Sequence, residues 1–164
     1  MYVATTRFNS ETWQEHERWI EKYNVKGCCY NTPVKIAENI PLESRIFVIE
    51  MNNDTNRIQG IGCITNFLRM DKHFKQYKDG NYNRFSYRSR YRLDRKELMG
   101  TKITIMDKCI LLLDLLEPIC FKGSTHSKRG QGIIQLPKTI QENKHIKFNK
   151  CLETLFKEHF EDFK

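Results

Sequence analysis

The first half of the chain alternates β-branched and aromatic segments with polar turns, a pattern typical of strands. Four strands are predicted, at residues 2–8, 27–30, 44–51 and 58–64. The polar cluster at 52–56 separates the last two strands closely enough to predict an antiparallel hairpin. Gly60 and Gly62 leave one face of the fourth strand without side chains, which favours a bulge or the close approach of another group.

Apolar residues at helical spacing predict three helices, at 11–23, 101–116 and 148–163. Asn9 and Ser10 are suitable N-caps for the first helix, and Pro118 follows the end of the second. The last helix has a continuous apolar stripe, so it is predicted to pack on the domain as an amphipathic C-terminal helix. Since no linker or repeat divides the chain, we expect a single domain over residues 1–164.

Basic residues are in excess, with a net charge of +8 and a pI near 9.2, which favours polyanionic partners. The segment 69–97 contains ten Lys or Arg against four Asp or Glu, a local net charge of +6. Within it, arginines alternate with aromatic rings from Arg84 to Arg92. One interpretation is that the arginines bind phosphates while the rings stack on bases. The other is a half-buried strand with Phe85, Tyr87 and Tyr91 inward, and both can hold together.

A glycine-punctuated basic segment, Lys122–Gly132, is called the glycine loop below. Its three glycines, Gly123, Gly130 and Gly132, permit positive φ and close packing of backbone amides, and cations surround them. This combination indicates a phosphate site, although the Walker spacing is absent; a solvated connector is the alternative. The nucleic-acid-binding candidates are Arg84, Arg88, Arg90, Arg92, Lys122, Ser124, His126, Lys128, Arg129, Gly130 and Gln131.

The six cysteines form no Cys-x-x-Cys pair and mostly lie in apolar runs, which is typical of reduced thiols in an intracellular protein, cytoplasmic or nuclear. The N-terminus has no apolar signal core, and no apolar run approaches the ~20 residues of a membrane span, so we expect no membrane partner. We expect no metal and no cofactor. Because no second acid or base accompanies His126, no catalytic residue is assigned, and enzymatic activity stays an open question.

A resemblance adds to this picture. The segment Pro41–Glu50, a turn, and the strand Ile58-Gln-Gly-Ile-Gly-Cys-Ile64 resemble the PUA-like superfamily, which includes the EVE, ASCH and YTH domains. The resemblance implies an α+β fold with a small curved β-barrel flanked by helices. It also implies a pocket between barrel strands for one splayed or modified base. The base-pocket candidates lie on or beside the first two strands: Thr5, Thr6, Trp13, Tyr30 and Asn31.

These observations predict a nucleic-acid-binding domain, with RNA favoured over DNA, that reads a modified or extruded base. One alternative is an RNA-processing hydrolase of ASCH type that uses His126, or Lys35 with Glu38. Another is a module that binds an acidic protein through its basic surface. The Lys-, Asn- and Ile-rich composition is typical of an AT-rich genome such as that of a large DNA virus.

Overall fold

The computed structural model of the chain describes residues 1–69, 74–143 and 146–164. The strands are β1 (Tyr2–Phe8), β2 (Cys28–Thr32), β3 (Arg45–Asn52), β4 (Arg57–Thr65), β5 (Phe85–Ser89), β6 (Tyr91–Asp94), β7 (Lys102–Ile105), β8 (Lys108–Leu111) and β9 (Ile134–Gln135). The helices are α1 (Ser10–Lys22), α2 (Arg95–Leu98), α3 (Leu112–Phe121), α4 (Lys138–Gln141) and α5 (Phe148–His159), with a 3-10 helix at Gly80–Asn83. Within these ranges, no helix has the length and apolar character needed to cross a membrane.

The main sheet has the strand order β6-β4-β3-β1-β9. β1 runs parallel to β3, and the other neighbours are antiparallel. The predicted hairpin is confirmed as β3–β4, with an irregular register between Glu50 and Met51. The predicted close approach at the glycines is confirmed as well, because a Cβ on Gly60 would lie 2.8 Å from a Glu50 carboxylate oxygen.

The two faces of the main sheet pack against different elements. One face packs against α3 and α5 around Phe47, Leu116 and Phe156. The opposite face is covered by the two-stranded β2–β5 sheet, and Val48 belongs to the same apolar cluster as Tyr30. The fold is therefore α+β, as predicted. In the described part of the chain the strands form three open sheets and no closed barrel.

The helix predicted over 101–116 is wrong for residues 102–111 and confirmed for residues 112–116. Residues 102–111 form the β7–β8 hairpin, and the helix that follows, α3, begins at Leu112 and includes Pro118. Met106 and Asp107 both have positive φ, at 46° and 63°, and make the two-residue turn between these strands. The β-branched run Ile103-Thr104-Ile105 favours a strand, and this preference outweighs the apolar spacing that suggested a helix.

The first and last predicted helices are confirmed. The Asn9 side chain accepts a hydrogen bond from the Thr12 amide, and the Thr12 side chain accepts one from the Asn9 amide, so a capping box begins α1. α5 is amphipathic and ends at His159, four residues before Phe163. Phe163 nevertheless stays buried, because its ring packs 5.4 Å from that of Phe156. α5 and the residues after it thus close one side of the core.

Candidate functional site

A cleft of about 220 Å³ lies where β1 continues into α1, beside the end of β2 and against the glycine loop. Two of the base-pocket candidates, Thr6 and Asn31, line it. Three of the phosphate candidates, Lys128, Gly130 and Gln131, line it as well. The structure therefore brings together, in one cavity, residues that the sequence suggested for two different purposes.

The glycine loop is held against β1 by Arg7. The Arg7 Nε and Nη1 groups donate hydrogen bonds to the carbonyl oxygens of Ser127 and Gly132, and Nη2 donates to the Thr5 hydroxyl at 2.8 Å. Burial lowers the pKa of Arg7 to about 10, so the guanidinium stays charged at neutral pH. One side chain thus fixes both ends of the loop segment that borders the cleft. Sequence reasoning missed Arg7, which is a single arginine within a strand pattern.

The backbone of the glycine loop has the predicted conformation. Gly123, Gly130 and Gly132 have φ values of 77°, 102° and 70°. Across the described hydrogen bonds, none is donated by the backbone amides of residues 129–132. The Lys128 Nζ donates to the neutral Asn56 side chain at 2.8 Å, and no carboxylate of the described residues lies within ion-pair distance of it. Unengaged amides next to an uncompensated cation are the donors that a phosphate group requires.

Aromatic rings form another wall of the cleft. Phe8 and Tyr77 are buried, whereas Tyr82 is 38% exposed at the opening. The Tyr77 and Tyr82 rings meet edge to face with centroids 6.0 Å apart. A flat ring at the entrance and buried rings inside can contact the π-face of a planar ligand. The sequence marks Tyr77 and Tyr82 only as members of the segment 69–97, and Phe8 only as part of the predicted strand 2–8.

The segment that holds Tyr77 is organised by asparagines. The Asn83 Oδ1 accepts hydrogen bonds from the backbone amides of Gln76 and Tyr77 at 2.8 and 3.0 Å. The Asn31 Nδ2 donates to the Phe74 carbonyl and, at 3.3 Å, to the Asn83 side chain. Asn31 is therefore both a wall of the cleft and a support for the aromatic segment.

Asn53, in the β3–β4 turn, also lines the cleft. Its Nδ2 donates to the Lys128 carbonyl at 2.9 Å, which ties the turn to the glycine loop. Its Oδ1 is buried and accepts no hydrogen bond from the described residues. Leaving a buried acceptor without a donor costs on the order of 1–3 kcal/mol, so Asn53 ties the turn to the glycine loop at the expense of stability. The polar turn predicted at 52–56 gave no indication that Asn53 would line a cleft.

The other base-pocket candidates lie outside the cleft. Thr5 is buried and accepts the hydrogen bond from Arg7, so it supports the glycine loop from behind. Tyr30 is buried under the main sheet. Trp13 packs edge to face against Phe8 with centroids 5.0 Å apart and lines a different cavity, of about 690 Å³, which it shares with Arg92.

Tyr30 and Arg92 belong to a buried ion-pair network centred on Glu50. The Arg92 Nε and Nη2 groups donate to the two Glu50 oxygens at 2.9 and 2.7 Å, and the Tyr30 hydroxyl donates to Oε1 at 2.8 Å. Burial favours protonation of Glu50, but the charge and hydrogen bonds of Arg92 outweigh it and hold the pKa of Glu50 below its usual value. Burial raises the pKa of Tyr30. Because Glu50 already offsets its charge, Arg92 is a structural cation.

The other arginines that alternate with aromatic rings between residues 84 and 92 differ in their partners. Arg90 forms an ion pair with Asp162 and donates to the Tyr91 hydroxyl. The guanidinium groups of Arg84 and Arg88 lie over the rings of Phe85 and Phe74, at 5.5 and 4.8 Å. In the described ranges, neither of these two has a carboxylate within ion-pair distance.

The rings of this segment lie as the half-buried strand interpretation predicts. Tyr87 is buried, and Phe85 and Tyr91 are half-buried against the two core clusters. Arg84 and Arg88 thus stay available at the surface while the rings support the strand. Residues 70–73 of the basic segment lie outside the described residues.

The other loop candidates do not line the cleft. Lys122, Ser124 and Arg129 are exposed. The His126 Nδ1 accepts a hydrogen bond from the Lys128 amide at 3.2 Å, so this histidine shapes the loop. Lys35 and Glu38, the alternative catalytic pair, are exposed in the connection between β2 and β3, and the Lys35 Nζ lies over the Phe85 ring.

The cysteines are all free thiols, and four of the six are buried. The part of the chain that the structure describes holds no cluster of three or more potential metal ligands. Comparison of the chain with protein-family models, with curated proteins and with solved structures finds no match. The properties of the cleft are therefore the basis for assigning a function.

Proposed function

We propose that the protein binds single-stranded nucleic acid, with RNA favoured over DNA, and holds one extruded or modified base in the cleft. The observation that carries the proposal is the composition of the cleft wall, where Thr6 and Asn31 meet Lys128, Gly130 and Gln131. A base site and a phosphate site side by side are what a single nucleotide needs. The preference for RNA rests on the resemblance to PUA-like domains.

The size of the cleft supports one base as its occupant. Its volume of about 220 Å³ is below the roughly 300–1,000 Å³ of pockets for drug-sized ligands. The base would contact the Tyr82 ring at the entrance, an interaction worth about 1–3 kcal/mol. The phosphate of the nucleotide would accept hydrogen bonds from the amides of residues 129–132.

The surface charge supports a strand that extends beyond the cleft. The net charge of +8 favours a polyanion, and Arg129 is exposed next to the cleft wall. Arg84 lies close to the opening, because Phe85 pairs with Thr32 at the end of β2 and Thr32 lines the cleft. These two arginines can bind the phosphates on either side of the extruded nucleotide.

We also propose that the fold is a variant of the PUA-like type. In support, a strand and a helix precede the β3–β4 hairpin, and the β2–β5 sheet folds over one face of the main sheet to enclose a second apolar cluster. The cleft lies at the edge of this enclosure, between β1 and β2. This is where the resemblance implies a base pocket.

The test is a panel of RNA strands that differ in one modified base, measured by fluorescence anisotropy at fixed salt. The wild-type protein should distinguish members of the panel. Tyr82→Ala should reduce the affinity for the preferred strand by roughly 5- to 160-fold, as expected for about 1–3 kcal/mol of stacking. Tyr82→Phe keeps the ring and is the matched control, so it should bind as the wild type does.

Two results would contradict the base-reading proposal. Equal affinity across the panel would leave a general nucleic-acid-binding surface, and an unchanged affinity of Tyr82→Ala would remove the cleft from the binding site. Cleavage of the strand during the assay would favour the hydrolase alternative. Binding that is weak at low salt would favour a protein partner.

A further inference from the structure

We propose that the strand leaving the cleft follows a basic groove between α1 and residues 75–78, called the α1 groove below. This inference rests on the proposed function, since it assigns the path of the same ligand. The groove has a volume of about 310 Å³. The residues used in the argument are Arg18, Trp19, Lys22, Lys75, Tyr77 and Lys78.

The α1 groove is adjacent to the cleft. Tyr77 lines both cavities, so it lies between them. α1 runs along both as well, because Thr12 lines the cleft and Arg18 and Lys22 line the groove. A chain that enters the cleft at Tyr82 therefore has a concave surface to follow on the other side of Tyr77.

The charge of the α1 groove suits a phosphodiester backbone. Arg18 and Lys22 are four residues apart on α1 and project from the same face of the helix. Neither these two nor Lys75 has a carboxylate within ion-pair distance in residues 1–69, 74–143 and 146–164. Lys78 differs, because it lies 4.0 and 3.9 Å from carboxylate oxygens of Glu11 and Glu15. Three cations are thus available to phosphates.

Just beyond the groove, the end of α1 offers a place for another base. Tyr23 is 57% exposed, and its ring packs 5.2 Å from that of buried Trp19. The Lys22 Nζ lies 5.2 Å from the centre of the Tyr23 ring. With a rise of about 1.5 Å per helical residue, Tyr23 is about 16 Å along α1 from Thr12. A base stacked on Tyr23 would therefore be several nucleotides away from the base in the cleft.

The experiment compares two labelled RNA probes, a trinucleotide and a mixed-sequence strand of about ten nucleotides, over a range of salt concentrations. The trinucleotide tests the cleft, and the additional affinity of the longer strand tests the groove. The groove variant is Arg18→Ala, Lys22→Ala, Lys75→Ala. The control removes the same charge from the other side of the main sheet, with Lys102→Ala, Lys108→Ala, Lys150→Ala on β7, β8 and α5.

For the longer strand, the groove variant should lose the affinity gained over the trinucleotide. Its slope of log K against log salt should fall by about 2, from roughly 0.7 for each of three phosphate contacts. Its binding of the trinucleotide and that of the control variant should change little. If the groove variant keeps the length and salt dependence of the wild type, the strand leaves by another route and this inference is overturned. If the wild type binds neither probe, the proposed function itself is contradicted.

Discussion

Replacing Arg92 by methionine should destabilise the protein far more than the same change at Arg90, two residues earlier. Glu50 is fully buried, and Arg92 supplies two of its three charge-assisted hydrogen bonds. Removing one partner of a buried ion pair costs about 3–5 kcal/mol, because the remaining charge is left in a poorly solvating environment. For a chain of this length, that loss lowers the melting temperature by roughly 10 °C.

The pH dependence provides a second, independent measurement. In the wild type the pKa of Glu50 is lowered, so the ion pair stabilises the fold above the unfolded-state pKa, and this contribution is lost as the pH falls through the folded-state pKa. Without Arg92, burial dominates and raises the folded-state pKa of Glu50. The native state then takes up a proton more readily than the unfolded chain, so the deficit of the variant should be smaller near pH 5 than near pH 8.

Urea unfolding at about pH 5 and about pH 8 measures both effects for the two variants. Arg90→Met removes an ion pair whose side chains are 67% and 48% exposed, so its cost should stay within about 1 kcal/mol at either pH. The reasoning is refuted if Arg92→Met also costs less than about 1 kcal/mol, or if its deficit is the same at both pH values.

Two further predictions concern the glycines and the glycine loop. Gly62→Ala should lower the free energy of unfolding by about 1–3 kcal/mol, because its Cβ would lie 2.2 Å from the Tyr30 hydroxyl. Gly80→Ala is its control, since nothing lies within 4 Å of the added Cβ, and equal stability of the two variants would contradict the crowding argument. Lys128→Ala combined with Arg129→Ala should weaken RNA binding and lower the salt slope by about 1.4, with little change in melting temperature. Wild-type binding by this double variant would show that the loop is only a connector.

The sequence predicts the main sheet better than the elements after it. Strands β3 and β4 have a strong β pattern and a polar turn between them, so their hairpin follows from local signals. The segment 101–116 has apolar residues that fit a helix, but the turn at Met106 and Asp107 has no glycine or proline to mark it. Two non-glycine residues at positive φ are tolerated there because the hairpin pairs on both sides.

The candidate site is predicted in part for a similar reason. All five residues of β2 are buried, so alternation of polar and apolar residues does not tell which of Tyr30 and Asn31 faces the cleft. Asn53 and Tyr77 enter the cleft from a turn and an irregular segment, which have no periodicity to read. In the sequence, Arg92 cannot be told apart from the other arginines between residues 84 and 92. Its structural role follows only from its ion pair with Glu50 in the fold.

The position of β1 has a consequence for how the protein acquires its site. β1 precedes β3 and β9 in the chain, yet in the main sheet it lies between them, and β9 comes from residues 134–135. Pairings this distant in sequence form slowly, because a long loop must close before any contact compensates the lost chain entropy. During synthesis the nascent chain would contain Thr6 but lack Lys128, so the proposed nucleotide site should form only after the glycine loop is made. Shortened chains that end before the glycine loop would be expected to leave a sheet edge exposed, and such edges recruit other strands.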